Sequence, residues 1–237
     1  LFFLTIIFVF GYFDDKFNIT ANKKIIFLNV NIYSEAIKNI DFMNKLKSFC
    51  LLAFLFLSAD VFAQAWKPLF NGKDLTGWET LGTKKNQWIV EDGALKSPKS
   101  GANIRTKNTY NDFKLHIEFR YPKESNSGVY LRGRYEVQVS DSKGMPPLKD
   151  YLGAIYGFIS PLEMVAKEPG EWQSFDITLV GRLVTLVGNG KQIIYKQEIP
   201  GITGGAMDSN ESEPGPIMIQ GDHGPVEYRN IILTPAK

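Results

Sequence analysis

From residue 64 onward, hydrophobic and polar side chains alternate in short runs with the two-residue period of β-strands. The clearest run is 113–120, FKLHIEFR, in which every second residue is apolar. Further runs of this kind occupy 172–180, 183–187, 192–195, 216–220 and 226–233. Gly, Pro, Asn and Asp separate the runs, and no amphipathic helical period extends beyond two turns. The pattern predicts an all-β domain built as a two-sheet antiparallel sandwich.

Two long segments interrupt this regular spacing. Residues 143–167 contain several prolines, glycines and aromatic residues, and a connection of this length in a small domain usually has a function. Residues 201–214 are rich in Gly, Ser, Asp and Glu, which indicates a mobile surface loop. Asn189-Gly190 predicts a type I′ hairpin turn between two strands. No internal repeat or linker divides the segment, so we expect residues 64–237 to form one domain.

The first 63 residues have a different composition. Residues 1–42 lack methionine and are dense in Phe, Ile, Asn and Lys, which favours a segment upstream of the true start and outside the fold. Residues 43–63 have the order of a secretory signal peptide: two lysines, a short apolar run and a small-residue cleavage site at 61–63. A transmembrane helix at 1–10 is the alternative, but a run of ten residues is too short to span a bilayer. We therefore expect an exported, periplasmic or secreted protein that starts at Gln64.

Charge and cysteine content narrow the function classes. Six of the 27 basic and five of the 25 acidic residues precede residue 64, which leaves 21 basic and 20 acidic side chains in the predicted domain. This balance indicates neither a nucleic-acid partner nor stable membrane insertion after cleavage. The single cysteine, Cys50, lies in the predicted signal peptide, so the domain is expected to be stabilised by core burial rather than by disulfides.

The stretch 126–141, NSGVYLRGRYEVQVSD, has polar residues on the face opposite its apolar one. Val129 and Leu131 alternate with Tyr130 and Arg132, and Gly133 interrupts the pattern as a bend or turn would. After it, the residues opposite the apolar face are Glu136, Gln138 and Ser140. An ordinary solvated face is one interpretation of this pattern. The other is a ligand-binding face that carries a cation, a carboxyl group and an amide.

A second polar group occurs at 219–225, IQGDHGP, where a predicted strand ends in a loop. Gln220, Asp222 and His223 follow one another closely between glycines, which allow the backbone to approach a ligand or simply to turn. A histidine on a loop beside an aspartate favours a role in a site over a role in the core. His116, in contrast, lies in mid-strand among charged residues and is predicted to be a solvated outer-face residue.

Seven segments in this order resemble the 3-keto-disaccharide hydrolase domain family across nearly all of residues 66–235. They are LFNGKDLTGW, WIVEDGAL, YNDFKLHIEFR, NSGVYLRGRYEVQVSD, GAIYG, GEWQSFDI and QGDHGPVEYRNI. The resemblance implies a jelly-roll sandwich of the concanavalin A-like lectin/glucanase type. It also implies action on sugars whose 3-hydroxyl is oxidised to a ketone. The ketone acidifies the C2 proton, so that a base can remove it and the enolate can expel the C1 leaving group.

The resemblance also implies roles for particular residues. Glu136 or His223 is the base, Arg132 steadies the enolate or binds sugar oxygens, and Asp222 orients His223. Gln138 and Gln220 bind hydroxyl groups. Candidates for contact with the sugar face are Tyr130, Tyr156 and Trp172, although Trp172 is equally compatible with a core position. Such a site requires Arg132, Glu136 and His223 to meet in one hollow.

Alternative functions remain open at this stage. Family 16 glycoside hydrolases share the implied fold, but their paired strand carboxylates are missing here, because Gln138 replaces the middle one and Asp141 falls on the opposite face. A non-catalytic, lectin-like carbohydrate-binding module is the main alternative to an enzyme, and a scaffold domain is a third. The sequence indicates a small-molecule or oligosaccharide partner and no cofactor or metal. The acidic residues 208–213 offer oxygen ligands for calcium, but solvated surface is the preferred interpretation.

Overall fold

The alternating runs of the sequence form β-strands in a computed structural model that describes residues 67–236 together with Ile40 and Phe42. The predicted signal peptide and nearly all of the preceding segment lie outside these residues. The thirteen strands of residues 67–236 are β1 Lys67–Pro68, β2 Trp78–Thr80, β3 Ile89–Glu91, β4 Ala94–Ser97, β5 Ile104–Thr106, β6 Phe113–Arg120, β7 Asn126–Leu131, β8 Tyr135–Ser140, β9 Gln173–Val180, β10 Leu183–Gly188, β11 Lys191–Glu198, β12 Met218–Ile219 and β13 Val226–Pro235.

The strands form two antiparallel sheets. The larger sheet has the order β11-β10-β9-β6-β13-β4-β3, with β1 also paired to β13, and the smaller has the order β2-β5-β12-β7-β8. Residues 67–236 contain no helix, and no helix of the described residues has the length and hydropathy that a membrane crossing requires. The predicted all-β jelly-roll sandwich is therefore confirmed.

The core lies between the two sheets and follows the predicted alternation. In β6 every second side chain is fully buried, and the same holds for β9 on its flank. From the smaller sheet, alternate residues of β7 and β8 pack into the same core. The buried core residues of these four strands are Phe113, Leu115, Ile117, Phe119, Phe175, Ile177, Leu179, Val129, Leu131, Tyr135, Val137 and Val139. The sequence pattern thus assigns the inner face of each sheet correctly.

The outer face of the smaller sheet is covered as well, because all six residues of β8 are buried. The connection from β8 to β9 runs along the edge of β8, where Val137 pairs with Ile155 and the Tyr156 N–H donates to the Glu136 carbonyl at 3.0 Å. Residues 201–214 also pack on this outer face, where Thr203 is buried against the start of β8. This segment is therefore a wall over the sheet as well as a surface loop.

The hairpin turn predicted at Asn189-Gly190 has the expected backbone geometry, and a second turn shares its positive φ values. Asn189 and Gly190 both have positive φ, at 49° and 80°, as a type I′ hairpin requires. Arg132 and Gly133 also have positive φ, at 52° and 69°, in the turn that joins β7 to β8. The side-chain alternation of β7 therefore ends at Leu131, and this determines where the Arg132 side chain lies.

Candidate active site

The candidate site is a hollow on the outer face of the smaller sheet, with β7 and β8 as its floor. In the register of these two strands Tyr130 pairs with Glu136 and Gly128 pairs with Gln138, so all four positions lie on one face. The hollow has a volume of about 250 Å³. Its lining consists of Asn103, Asn126, Tyr130, Glu136, Gln138, Tyr156, Gly204, Gly205, Gln220, Asp222 and His223.

Glu136 provides a buried carboxyl group at the floor, with only 4% of the residue exposed. Burial raises its pKa from the ordinary value of 4.5 to about 7, because the charged form loses its hydration. The neighbouring Tyr130 hydroxyl and the charge of His223 act against this rise, whereas the charge of Asp222 adds to it. A carboxyl group with this pKa takes up and releases a proton near neutral pH.

The Glu136 side chain lies directly over Gly128. A Cβ atom at Gly128 would be 2.8 Å from both Cγ and Cδ of Glu136 and still closer to its Oε1. The glycine therefore leaves the space in which the carboxyl group rests. The NSG sequence at the start of β7 is consequently part of the site, although Gly128 itself contributes no polar side chain.

One wall of the hollow is attached to the floor by hydrogen bonds of Tyr130 and Thr203. The Tyr130 hydroxyl donates to the Gly204 carbonyl at 2.9 Å, and the Glu136 main-chain N–H donates to Thr203 Oγ1 at 2.9 Å. The Thr203 hydroxyl in turn donates to the Arg134 carbonyl at 3.1 Å. Burial raises the pKa of the Tyr130 hydroxyl, and the nearby Glu136 carboxyl raises it further, so Tyr130 remains a hydrogen-bond donor.

The opposite wall is the loop 220–225, which places His223 and Asp222 at the rim. His223 Nδ1 lies 2.6 Å from Asp222 Oδ1, and 53% of the imidazole side chain is exposed. Because Asp222 occupies Nδ1, Nε2 is the ring nitrogen that faces a ligand. The loop is held by three serine hydroxyls, which donate to its carbonyl groups: Ser127 to Gln220, Ser100 to Asp222 and Ser125 to Pro225.

Two glutamine amides add polar groups to the lining. Gln138 Nε2 lies 3.4 Å from Asn126 Oδ1, while Gln138 Oε1 is buried without a hydrogen-bond donor in the part of the chain that the structure describes. Gln220 Oε1 is likewise buried without a donor among the described residues. Buried carbonyl oxygens usually have a donor, so these two amides are suited to receive ligand hydroxyl groups.

Arg132 is not in this hollow, which corrects the expectation that it would join Glu136 and His223. Its guanidinium group is buried on the other side of the β7–β8 turn, where it donates to Asn111 Oδ1 at 3.2 Å and to the carbonyl of Gly181. It also stacks over the ring of Tyr135 at 5.5 Å. The physical reason is the positive φ of Arg132, because a left-handed residue no longer follows the two-residue alternation of the strand.

Trp172 also lies elsewhere. It precedes β9 and packs beneath the guanidinium groups of Arg229 and Arg120, at 3.9 Å and 4.8 Å from its ring centre. Both arginines belong to strands of the larger sheet. His116 is on this sheet as well, where its Nδ1 lies 2.6 Å from Asp176 Oδ1, in agreement with the predicted outer-face position. The remaining predicted site residues line the hollow together: Tyr130, Glu136, Gln138, Tyr156, Gln220, Asp222 and His223.

Sequence reasoning missed four residues of the lining: Asn103, Asn126, Gly204 and Gly205. Asn126 was within reach of the strand pattern, because it shares the face of Gly128 and Tyr130. Asn103 accepts a hydrogen bond from the Gly221 N–H at 2.9 Å and so connects the loop 220–225 to β5. No periodic signal points to Asn103 or to the two glycines, since all three lie outside the strands. The described residues contain no group of three His, Cys, Asp or Glu side chains placed to hold a metal ion.

Together, the fold and the site define a jelly-roll protein with a polar hollow that holds a buried carboxyl group at its floor and a His–Asp pair at its rim. Residues 65–234 match the family described as the 3-keto-alpha-glucoside-1,2-lyase-like domain. The chain belongs to this family, which confirms the resemblance found in the sequence. A search of curated proteins found no match.

Three solved structures from Parabacteroides distasonis, each described as a candidate glycosyl hydrolase, are similar to this chain. The first is 32% identical with a TM-score of 0.62, and the match covers 72% of this chain and 84% of that one. A second is 26% identical with a TM-score of 0.56 and covers 72% and 99%. The third is 21% identical with a TM-score of 0.61, covers 74% and 95%, and shows the shared fold.

Proposed function

We propose that this chain is an exported enzyme that cleaves 3-keto-glycosides, with Glu136 as the base that removes the C2 proton. The observation that carries the proposal is a carboxyl group buried at the floor of a hollow whose rim holds a His–Asp pair. Membership in the 3-keto-alpha-glucoside-1,2-lyase-like domain family supports the same substrate class. The descriptions of the relatives as candidate glycosyl hydrolases support glycoside cleavage.

The reaction begins with the Glu136 carboxylate, which takes the proton from C2. The electrons of the C2–H bond form the C2–C3 double bond of an enolate, and the C3 carbonyl oxygen becomes the oxyanion. The enolate then reforms the C3 carbonyl and a C1–C2 double bond while the C1–O bond breaks. A general base works best when its pKa is near the operating pH, and burial brings Glu136 into that range.

The leaving oxygen requires a proton, which His223 supplies at the rim. Asp222 holds Nδ1 of the ring, so Nε2 carries the proton that is donated. Water then adds to C1 of the unsaturated sugar and gives one proton back to His223, while the proton held by Glu136 returns to C2, which completes net hydrolysis and restores both groups. Dissociation before the addition of water leaves the unsaturated product instead.

A hydrogen-bond donor for the enolate oxygen must come from the lining, since Arg132 lies outside it. The amide groups of Asn126 and Gln220 take this role. Asn126 Oδ1 faces Gln138 Nε2. The side-chain N–H groups of Asn126 donate to no side chain or carbonyl of the described residues, so they are available to a ligand. Donors fixed in place around a developing oxyanion stabilise the transition state at little cost of reorganisation.

The test is to incubate the purified protein with a 3-keto-disaccharide and measure the release of the free sugar. Glu136→Gln and His223→Gln are each expected to lower kcat by about 10²–10⁴-fold, the usual contribution of a general acid or base. His116→Gln is the matched control, because His116 forms a His–Asp pair of the same 2.6 Å distance on the larger sheet. Turnover by Glu136→Gln at the wild-type rate would exclude the proposed mechanism.

A lectin-like binding module is the alternative that the same experiment separates. In that case the wild-type protein binds the keto-sugar in calorimetry but releases no product, and Glu136→Gln binds equally well. A buried carboxyl group with a pKa near 7 favours the enzyme, because a module that only binds gains nothing from the cost of burying it.

Export rests on the composition of residues 43–63, in which two lysines precede an apolar run and the sequence Val-Phe-Ala. The segment directs the chain across the membrane and is removed after Ala63. Expression of the full chain in a bacterial host, followed by mass determination of the exported protein, is expected to give an N-terminus at Gln64. Retention of residues 43–63 on the exported protein would contradict this.

A further inference from the structure

The size of the hollow limits how much of a substrate it encloses. Its volume of about 250 Å³ is below the range of about 300–1,000 Å³ that is typical of pockets that enclose a drug-sized ligand. The space accommodates one sugar ring but not a disaccharide. The remainder of a longer substrate must therefore extend out of the hollow, either beyond the bond that is cleaved or from the far side of the enclosed ring.

Burial differs sharply between the floor and the rim. Tyr130, Glu136 and Gln138 at the floor are nearly inaccessible, whereas 39% of Tyr156 and about half of the His223 side chain are exposed at the rim. The unpartnered Oε1 of Gln138 is also at the floor, so one of the hydroxyl-binding groups lies in the deepest part of the site. A polar substituent of an enclosed ring is consequently held at the floor.

The two acid–base groups determine the orientation of that ring. C2 must face the Glu136 carboxylate at the floor, and the oxygen on C1 must face His223 at the rim. With C2 directed at the floor and the oxygen on C1 directed at the rim, the bond to the leaving group points out of the hollow. The rest of the ring is then enclosed between the wall at 203–205 and the loop 220–225.

Tyr156 is the exposed aromatic side chain among the residues that line the hollow. Its main-chain N–H is fixed to the Glu136 carbonyl, so its position relative to the base is set by the sheet edge. Its ring lies 3.9 Å from the position that a Cβ atom of Gly204 would occupy, and the glycine leaves one face of the rim open. Aromatic faces stack on the apolar faces of sugar rings and on aryl groups.

We infer, on the basis of the proposed function, that this protein takes only a terminal 3-keto-pyranose into the hollow and holds the leaving group outside, against Tyr156. Its substrates are therefore glycosides with the keto-sugar at the non-reducing end and a variable leaving group. The geometry of a closed floor and an open rim carries this inference. A keto-sugar within a chain, glycosylated on both sides, does not fit.

The test compares four keto-sugars with the same purified protein. They are a methyl 3-keto-glucoside, a 4-nitrophenyl 3-keto-glucoside, a trisaccharide with the keto group on its non-reducing terminal ring, and a trisaccharide with the keto group on its central ring. The first three are expected to be cleaved, and kcat/KM for the fourth is expected to be lower than that for the third by at least about 100-fold, because a whole sugar would clash with the floor. Equal cleavage of both trisaccharides would overturn the inference.

Variants at the rim test the place of the leaving group. Tyr156→Ala is expected to raise KM about tenfold for the nitrophenyl glycoside and the terminal-keto trisaccharide, but less than twofold for the methyl glycoside. Phe158→Ala is the matched control, because Phe158 is an exposed aromatic residue two positions further along that does not line the hollow. An equal effect of Tyr156→Ala on all three substrates would contradict the assignment of the rim.

The two proposals fail in different ways. If the wild-type protein cleaves the methyl keto-glucoside but does not discriminate between the trisaccharides, the proposed function stands and the inference about the terminal ring falls. If the protein cleaves none of the four compounds, both fall.

Discussion

The burial of Glu136 supports its proposed role as a base and also has a cost in stability. Burial raises its pKa to about 7 from 4.5. Between these pH values the unfolded chain has released the carboxyl proton while the folded protein retains it. The contribution of Glu136 to the free energy of unfolding therefore falls as the pH rises from about 4.5 to about 7, and it is constant at higher pH.

The first prediction is that Glu136→Gln loses activity but gains stability at high pH. Glutamine has nearly the same shape and carries no charge, so it avoids the cost of burying a carboxylate. The unfolding free energy of the variant relative to the wild type is expected to rise by roughly 2–3 kcal/mol between pH 5 and pH 8. Urea unfolding at both pH values measures it. The exposed Glu124→Gln is the control, and a difference that does not change with pH would refute the burial argument.

The second prediction concerns Gly128, which faces Glu136 across the strand pair. A Cβ atom there would overlap the carboxyl group, whose flexible end can move aside while the strands remain paired. Gly128→Ala is therefore expected to lower kcat by about 100-fold, since a displacement of 1 Å at a reacting group has an effect of this order. Its urea midpoint should change little. The control is Gly201→Ala, which meets nothing within 4 Å; equal activities of the two variants would contradict the steric argument.

At the scale of elements, the alternating pattern predicts strands well and turns less well. It gives the bounds of β6 without error and assigns the buried faces of β7 and β8 correctly. The pattern fails at Arg132, because the positive φ of this residue ends the two-residue period of the strand. Gly133 marked this turn in the sequence, but a glycine does not specify at which residue the chain leaves the strand geometry.

The loop 220–225 depends on hydroxyl groups rather than on apolar contacts. Ser127 lies in the core beneath the site, where its Oγ donates to the Gln220 carbonyl at 2.7 Å and lies 2.8 Å from the Tyr228 hydroxyl. These bonds hold the start of the loop against β7. The position of His223 is therefore controlled partly from the interior of the sandwich.

The third prediction is that Ser127→Ala destabilises the protein by about 1–3 kcal/mol, the cost of leaving a buried polar partner unsatisfied. Activity is expected to fall as well, because the loop that carries His223 loses a fixed point, and Ser127→Thr should restore both properties by retaining the hydroxyl. Urea unfolding and kcat are the measurements. The exposed Ser209→Ala is the control, and a Ser127→Ala variant with wild-type stability and kcat would show that the hydroxyl has no such role.

At the scale of the whole molecule, the sequence predicts the site residues that lie on strands or on the loop 220–225. It does not predict those of the segment that covers the sheet. Glu136, Gln138 and Tyr130 follow from strand period, and Asp222 and His223 from their position beside glycines. Gly204 and Gly205 reach the site because hydrogen bonds, among them those between Thr203 and Arg134, attach residues 201–214 to the β7–β8 hairpin. Such attachments join residues far apart in sequence, and no local pattern records them.

The two outer faces of the sandwich carry different kinds of polar residue. On the smaller sheet the polar groups line a hollow, and two amide oxygens there have no donor among the described residues. On the larger sheet the charges are paired with one another: Glu118 with Arg229, and Glu227 with Arg120. Trp172 lies beneath these two arginines. We therefore expect ligand binding on the smaller sheet alone.

The fourth prediction follows from this division and concerns Trp172, which the sequence placed among the candidates for sugar contact. Trp172→Leu removes two cation–π contacts, each of which contributes about 0.5–1 kcal/mol at an exposed site, so the free energy of unfolding is expected to fall by about 1–2 kcal/mol. KM and kcat for a 3-keto-disaccharide should remain within twofold of the wild type, in contrast to Tyr156→Ala. Urea unfolding and initial rates on the same preparation measure both effects. A large rise in KM without a change in stability would place part of the substrate site on the larger sheet, and the assignment of function to one face of the sandwich would then be wrong.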